Sequence, residues 1–272
     1  MITFLHIIIK RFVPKENKFI NMLKNLSKRF LSAIFVNGVK FRIGKKHKIK
    51  MDIRFVHYQN FGRGHNNGWA TCLDYCRNKQ CFIDIGAHIG LYSIPASKLL
   101  AESGKVIAFE PATANFNTLL RHIKMNNSNN INAYNYLIGE KEDYVVFHED
   151  ITDVNPMNSI VSNYLKKGYI KNYKKQHSLD SFCKTNFLKP DVIKIDVEGS
   201  EINVLKGARA LLVQSKPYIF LSVHPKHIKM MGYSINDLYE VITSLRYEIK
   251  NIDGSDPGYL YLNEYLLVPN KS

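Results

Sequence analysis

Metal-binding cysteine spacings are missing from this chain. Its four cysteines, Cys72, Cys76, Cys81 and Cys183, form no Cys-x-x-Cys pair and have no histidine cluster beside them. That excludes a zinc knuckle and a disulfide framework, and implies free buried thiols in a reducing compartment. No apolar run reaches the ~20 residues that a bilayer-spanning helix needs. Thr3 to Ile9 is apolar but short, and Lys10-Arg11 follows it. Without leading charges or a small-residue cleavage site it does not read as a signal peptide, so the expected location is the cytoplasm. There is no internal repeat.

Acidic charge is nearly absent from the first fifty residues, where Glu16 is the single acid among 13 Lys and Arg. The formal net charge of +15 is therefore concentrated there, and residues 51–272 are close to neutral. Such a distribution predicts a basic arm on an ordinary domain. Within the arm Phe19, Leu23, Leu26, Phe30 and Ile34 recur at steps of three and four, with basic and amide residues between them. This is an amphipathic helix, ended by Gly38. An apolar stripe is of no use to an RNA-binding arm, and residues 1–35 are expected to seat the chain peripherally on the inner face of an anionic membrane. The bland alternative is packing on the domain.

The chain as a whole holds 45% hydrophobic and 12% aromatic residues, ample for a core. It divides into the arm (1–38), a hairpin and loop (39–77) and a main domain (78–272). Val39–Ile43 and Lys48–His57 alternate around Gly44-Lys45-Lys46, as paired strands do, and Trp69–Cys76 reads as a short helix. The pivotal stretch is Cys81-Phe82-Ile83-Asp84-Ile85-Gly86-Ala87-His88-Ile89-Gly90. It predicts a buried strand, a tight glycine turn and a helix from Leu91 to about Glu102, whose free N–H groups can receive a ligand. Asp84 ends a buried strand and needs a partner, which a ligand can supply. A second strand, Gly104–Pro111, ends in an acid, Glu110, 26 residues after Asp84. That is one β-α-β step, and an acid there suits the two hydroxyls of an adenosine ribose. The structural alternative for Glu110 is a cap on the helix that begins near Ala112.

Further strands are expected at Ile131–Leu137, Asp191–Asp196, Tyr218–Val223, Tyr247–Ile252 and Tyr259–Val268, with helices at Ala114–Met125, Glu201–Leu212 and Ile235–Leu245. Ser178 is a plausible N-cap of another helix, and the polar stretch Ile151–Lys175 reads as an irregular lid. The last two strands are joined by Asp253-Gly254-Ser255-Asp256-Pro257-Gly258, too short for a parallel crossover. Alternating strands and helices closed by an antiparallel pair give a doubly wound α/β sheet. Asp84, Glu110, Gly139, Asp196 and His224 all fall at C-terminal strand ends, where such sheets bind ligands.

Four motifs in this order, Asp84-Ile85-Gly86-Ala87-His88-Ile89-Gly90, Ala108-Phe109-Glu110-Pro111, Ser178-Leu179-Asp180 and Ile193-Lys194-Ile195-Asp196-Val197-Glu198-Gly199-Ser200-Glu201, resemble FkbM-type methyltransferases. The similarity runs over roughly residues 78–268. It implies a seven-stranded class I methyltransferase sheet and S-adenosylmethionine as cofactor. It also implies that Asp84, Gly86 and Gly90 hold the methionine part, Glu110 holds the ribose, and Asp196 and Glu198 line the reaction cleft. Its implied acceptor is a hydroxyl, often on a saccharide, glycolipid or related metabolite. The chain departs from the pattern at His88, where the family usually has Asn, and at Ser222, where it often has an acid two residues before His224.

A hydroxyl needs its proton taken before it attacks, and Asp196, Glu198 and His224 are the candidates for that role. Spacing alone does not aim Asp196 and Glu198 the same way. Glu201 reads as a helix-start acid. No third ligand is evident beside Asp196 and Glu198, so no metal is expected. The readings from other classes are a nicotinamide-dependent oxidoreductase on a similar fold, against which the Gly86-x-x-x-Gly90 spacing speaks, and a non-catalytic glycan- or membrane-binding module. A nucleic-acid methyltransferase would need its basic residues around the cleft rather than in the arm.

Overall fold

The computed structural model describes residues 27, 30–44, 47–150, 154, 158–160 and 169–270. Helical residues 30–34 precede an antiparallel hairpin, β1 (Val39–Ile43) and β2 (His47–Met51). A 3-10 segment (Ile53–Asn60) and α1 (Trp69–Tyr75) lead into β3 (Cys81–Ile85), α2 (Ser93–Ser97), β4 (Lys105–Phe109), α3 (Thr113–Asn126) and β5 (Ile131–Tyr134). Next come β6 (Leu137–Gly139), β7 (Asp143–Glu149), β8 (Ile170–Ser178), α4 (Leu179–Thr185) and β9 (Val192–Ile195). The chain then forms α5 (Glu201–Lys206), α6 (Arg209–Ser215), β10 (Tyr218–Val223), α7 (Pro225–Met230), α8 (Ile235–Ser244), β11 (Tyr247–Lys250) and β12 (Asn263–Pro269).

Seven strands make the main sheet in the order β11-β12-β10-β9-β3-β4-β5, with β12 antiparallel to both its neighbours. The period of two explains how one sheet serves two cores. Ile83 and Ile85 of β3, Ile107 and Phe109 of β4, and Ile193 and Ile195 of β9 enter one cluster. Their alternates Phe82, Val106, Ala108 and Val192 enter the other, which the hairpin and α1 complete. The region before β3 is thus welded to the sheet. Trp69 donates its indole N–H to Leu91 O at 2.9 Å, and the buried Asp52 carboxylate accepts from Arg121 at 2.6 Å and Ser32 at 2.7 Å.

Several expectations need correction. The second hairpin strand stops at Met51, because Asp52 accepts from the Arg54 N–H and starts the 3-10 turn. The helix after the glycine turn spans only Ser93–Ser97. The strand expected over 131–137 is divided between β5 in the main sheet and β6, which joins β8 and β7 in a three-stranded sheet. Residues 170–175 of the expected irregular lid belong to β8, whereas most of 151–168 lies outside the described residues. The helix expected over 201–212 is two helices. Its break is Gly207, where a Cβ would lie 2.0 Å from the Gly139 carbonyl oxygen. Asp180 uses that break, accepting from the N–H groups of Ala210 (2.9 Å) and Leu211 (2.8 Å) at the start of α6. Ser178 does cap α4, accepting from Ser181 N–H at 3.2 Å.

The atoms facing Gly207 are backbone, so they cannot swing aside. Gly207→Ala is expected to destabilise the fold by about 2–3 kcal/mol, through overpacking against β6. Urea unfolding of the two chains measures this, and coincident midpoints would show that the contact has room to yield.

Candidate active site

Alternation and register together build a polar row under the C-terminal edge of the sheet. Asp84 and Lys194 stand opposite each other on β3 and β9, and Ser222 and Glu264 on β10 and β12. Lys194 has no exposed surface. Its ammonium donates to Ser222 Oγ at 2.7 Å and Ile195 O at 3.1 Å, and lies 3.3 Å from Glu264 and 3.5 Å from Asp196. Burial opposes that charge, but the carboxylates of Asp196, Glu264 and Asp84 outweigh it and hold Lys194 protonated. Tyr92 closes the row, donating to Glu264 at 2.8 Å. Glu264 escaped the sequence reading; its signal was a lone acid inside the expected strand Tyr259–Val268.

Above the row lies a cleft of about 320 Å³. Asp84, Gly86, His88, Glu110, Asp196, Glu198 and His224 all line it, so seven of the expected site residues converge. Gly90 and Gly139 stand outside the lining. Gly90, at φ +92°, packs against Ile94 and Leu119, and Gly139 against Gln176. Gly86 (φ +85°) is required by its neighbour: a Cβ would sit 1.8 Å from Asp196 O, so this glycine brings the ends of β3 and β9 together.

Glu110 is buried and doubly engaged. Its Oε2 accepts from His88 N–H at 2.8 Å, and its Oε1 from Ala112 N–H at 2.9 Å and Asn115 at 3.3 Å. The capping reading is therefore realised, and Oε2 keeps a lone pair towards the cleft. Burial pushes Glu110 up to about 7 and Asp84 up to about 6, the latter despite the short hydrogen bond from Ser93. His88 takes a left-handed backbone (φ +50°), a conformation that Asn and His adopt more readily than most residues. Burial lowers its imidazole to about 4, and its Nε2 is buried without a hydrogen-bond partner among the described residues.

The other end of the cleft gathers Asp196, Glu198 and His224. His224 Nε2 lies 3.6 Å from Asp196 Oδ1 and 3.5 Å from Glu198 Oε1, and Nδ1 lies 2.7 Å from Glu201 Oε1. Glu201 is thus more than a helix-start acid. It is fully buried and holds His224 through Nδ1. Burial disfavours the imidazolium, yet the hydrogen bond to Glu201 and the charges of Glu201, Asp196 and Glu198 prevail and push His224 up to about 9. Asp196 is lowered; burial works against this, and the Lys194 and His224 charges overcome it. Glu198 carries a left-handed backbone (φ +51°) before Gly199 (φ +112°), and this turn aims its side chain beside Asp196. His227, also missed from the sequence, lies 3.0 Å from Glu198 Oε2.

Asp196, Glu198 and His224 offer ligand atoms within 4.8 Å of one another, so the third candidate ligand that spacing did not reveal is His224. Tyr58, Phe61, His65 and Asn66, from the segment before β3, line the cleft as well, and so do Tyr136, Asn158 and Ile160. Their only sequence signal was an aromatic, glycine-rich loop next to the central strand.

The family model for the "Methyltransferase FkbM domain" matches residues 84–249, from the first site acid to β11. The chain belongs to the FkbM methyltransferase family. It is accordingly an S-adenosylmethionine-dependent methyltransferase, and the oxidoreductase and non-catalytic readings fall away. Over 186 residues it is 24% identical to "Methyltransferase 1" of Beauveria bassiana (strain ARSEF 2860), covering 58% of this chain and 68% of that one. Among solved structures it is similar to the methyltransferase FkbM from Methylobacillus flagellatus KT, with 22% identity and a TM-score of 0.46. That match covers 71% of this chain and 44% of the other, so the chain spans less than half of that relative. An O-methyltransferase from Bacillus cereus in complex with SAH gives 14% identity and a TM-score of 0.45, over 97% of this chain and 96% of that one.

In this FkbM methyltransferase the polar row is expected to be a stability element. Lys194→Met leaves Glu264, which is fully buried, without its cation, and should cost about 3–5 kcal/mol in chemical unfolding. Adding Glu264→Gln should return part of that loss, since the orphaned charge is then gone. A double variant as unstable as the sum of the singles would show that the two groups do not interact.

Proposed function

We propose that the enzyme methylates a hydroxyl of a saccharide, glycolipid or related metabolite, with the cofactor over β3 and β4 and the acceptor over β9 and β10. The observation that carries this reading is the order of acids along one sheet edge. Glu110 and Asp84 follow β4 and β3, while Asp196, Glu198 and His224 follow β9 and β10. The residues suit S-adenosylmethionine: Gly86 opens the turn, Glu110 Oε2 retains an acceptor site for a ribose hydroxyl, and Asp84 can face an ammonium. Bound there, the cofactor supplies a methyl group on a sulfonium, which needs alignment more than protein chemistry.

The acceptor's proton is the protein's task. Asp196 and Glu198, 27% and 22% exposed at the cleft wall, receive it as the new C–O bond forms. His224 does not act as the base at neutral pH, because its three carboxylate neighbours keep it protonated. It orients Asp196 and Glu198 instead. Aromatic walls from Tyr58, Phe61 and Tyr136, with amides from Asn66 and Asn158, give apolar faces and directed donors of the kind a hydroxylated ring binds.

The basic arm is read as a peripheral membrane contact. Residues 1–26, 28 and 29 lie outside the described residues. Immediately after them, Phe30, Ile34 and Val36 are 67%, 57% and 65% exposed, which favours an apolar face not used by the domain. Lys40, Lys48, Lys50 and Lys98 line a second cavity of about 300 Å³, continuing the basic surface. At about 1 kcal/mol per basic residue near an anionic leaflet, such a face gives reversible binding.

Calorimetry with S-adenosylmethionine should show Glu110→Ala weaker by about 1.5–3 kcal/mol, the loss of one charge-assisted hydrogen bond. Wild-type affinity should fall as pH drops from 8 to 6, by at most about tenfold per unit, because binding favours the ionised form of Glu110 and its carboxyl titrates at about 7. A flat profile with unchanged Glu110→Ala affinity would remove the ribose assignment. Asp196→Asn and Glu198→Gln should keep cofactor affinity while turnover falls at least a hundredfold; wild-type turnover in both would move the base elsewhere. Co-sedimentation with anionic vesicles should pellet the full chain at low salt and not a chain starting at Val36. Equal pelleting of the two would make the arm an ordinary part of the fold.

A further inference from the structure

We propose that Asp196, Glu198 and His224 form a site for one divalent first-row metal cation such as Mn²⁺, open to the acceptor side of the cleft. The inference rests on the proposed function for its role in turnover, but not for binding.

Three features of geometry support it. First, the spacing suits coordination better than hydrogen bonding. His224 Nε2 stands 3.5 Å from Glu198 Oε1 and 3.6 Å from Asp196 Oδ1, well beyond the ~2.7–2.9 Å of a charge-assisted hydrogen bond. Metal–ligand bonds of ~2.0–2.2 Å set neighbouring ligand atoms ~2.8–3.6 Å apart, so a cation fits between these atoms with little movement. All three ligand atoms lie within 4.8 Å, and rotation of the part-exposed Glu198 carboxylate closes the triangle.

Second, each ligand is held from behind by its other polar atom. His224 Nδ1 bonds Glu201 Oε1 at 2.7 Å, Glu198 Oε2 meets His227 Nδ1 at 3.0 Å, and Asp196 Oδ2 lies 3.5 Å from Lys194. Metal-ligating histidines characteristically donate their second N–H to a carboxylate, which fixes the tautomer and turns the free nitrogen to the ion. His224 is itself 7% exposed, and its Nε2 is the atom aimed at the two carboxylates. Third, Glu201 has no exposed surface, accepts also from Gly199 N–H at 3.2 Å, and keeps Oε2 buried without a hydrogen-bond partner among the described residues. A fully buried carboxylate beside two more is a surplus of negative charge, which a divalent ion on the far side of His224 offsets.

The donor set decides the ion class. One imidazole with two carboxylates suits Mn²⁺, Fe²⁺ or Zn²⁺ over a soft thiophilic ion, and three protein ligands leave positions for water or an acceptor hydroxyl. On binding, the cation takes the Nε2 lone pair and any proton there leaves to solvent. A hydroxyl bound at an open position is made more acidic by the ion, and its proton passes to a carboxylate or water.

The test uses the full chain after treatment with a chelator, titrated with Mn²⁺ alone and followed by the loss of the free-ion electron paramagnetic resonance signal. One Mn²⁺ per chain is expected, with affinity reduced at least tenfold in Glu198→Gln and His224→Ala. Glu201→Gln, which touches no ion, should weaken it 10–100-fold. Circular dichroism checks that each variant is folded; should His224→Ala unfold, Glu198→Gln and Glu201→Gln decide. No Mn²⁺ uptake, or uptake that all the variants retain, would overturn the site. Calorimetry with S-adenosylmethionine on the metal-free chain keeps the two readings separate. Cofactor binding without Mn²⁺ uptake refutes the metal site alone, whereas Mn²⁺ uptake without cofactor binding supports the metal site and refutes the cofactor assignment.

Discussion

A lysine without exposed surface stands in the middle strand of this enzyme, and the cleft depends on how its charge is met. Lys194 is flanked by Asp84 across β3, by Ser222 and Glu264 on the other side, and by Asp196 two residues on. Ionised groups are rarely buried unless paired, since desolvation costs several kcal/mol each. Here the pairing is distributed over four strands, so the charge network and the sheet register fix each other. A one-residue slip of any of these strands would turn its polar member into the opposite, wholly apolar core. The same network holds one oxygen of Asp196 and leaves the other towards His224.

The sheet was legible because strand alternation and β-α-β spacing are local signals. Cys81–Ile85, Lys105–Phe109 and Tyr218–Val223 read directly as buried strands, and Asp84, Glu110 and Asp196 announced themselves as acids at the ends of apolar runs. What stayed hidden was set by contacts between distant segments. Nothing near residue 201 says that Glu201 will receive Nδ1 of His224, 23 residues later. Nothing near Gly207 says that Gly139 will press on it and break the helix. Asp52 ended a strand by capping a turn, a local competition that alternation does not register. Tyr58 and Phe61 reached the cleft because the segment before β3 folds over it, a tertiary fact with only composition as its trace.

The departure at His88 also becomes intelligible. The position requires a left-handed backbone whose N–H points at Glu110, and Asn or His can supply it. The choice of His adds a ring that stands edge-on to Tyr58, with centroids 5.9 Å apart, and an Nε2 left for a ligand. The departure at Ser222 has a different logic. An acid there would sit on Lys194, and Glu264 already occupies that side. The acid that serves His224 comes instead from α5.

The two ends of the cleft hold their carboxylates in different states. At the β9–β10 end Lys194 and His224 favour the ionised form of Asp196. At the β3–β4 end Asp84 and Glu110 titrate at about 6 and about 7, so near neutral pH burial has already brought them to the edge of losing their charge. A cationic ligand beside them pulls both back to the ionised state and gains their attraction, whereas a neutral one gains less. Under the proposed assignment this asymmetry matters for turnover. Methyl transfer removes the sulfonium charge, so the attraction that draws the cofactor in weakens once the methyl group has left. Carboxylates poised near neutrality thus discriminate between the donor and its spent form through a difference in charge, without any change of shape.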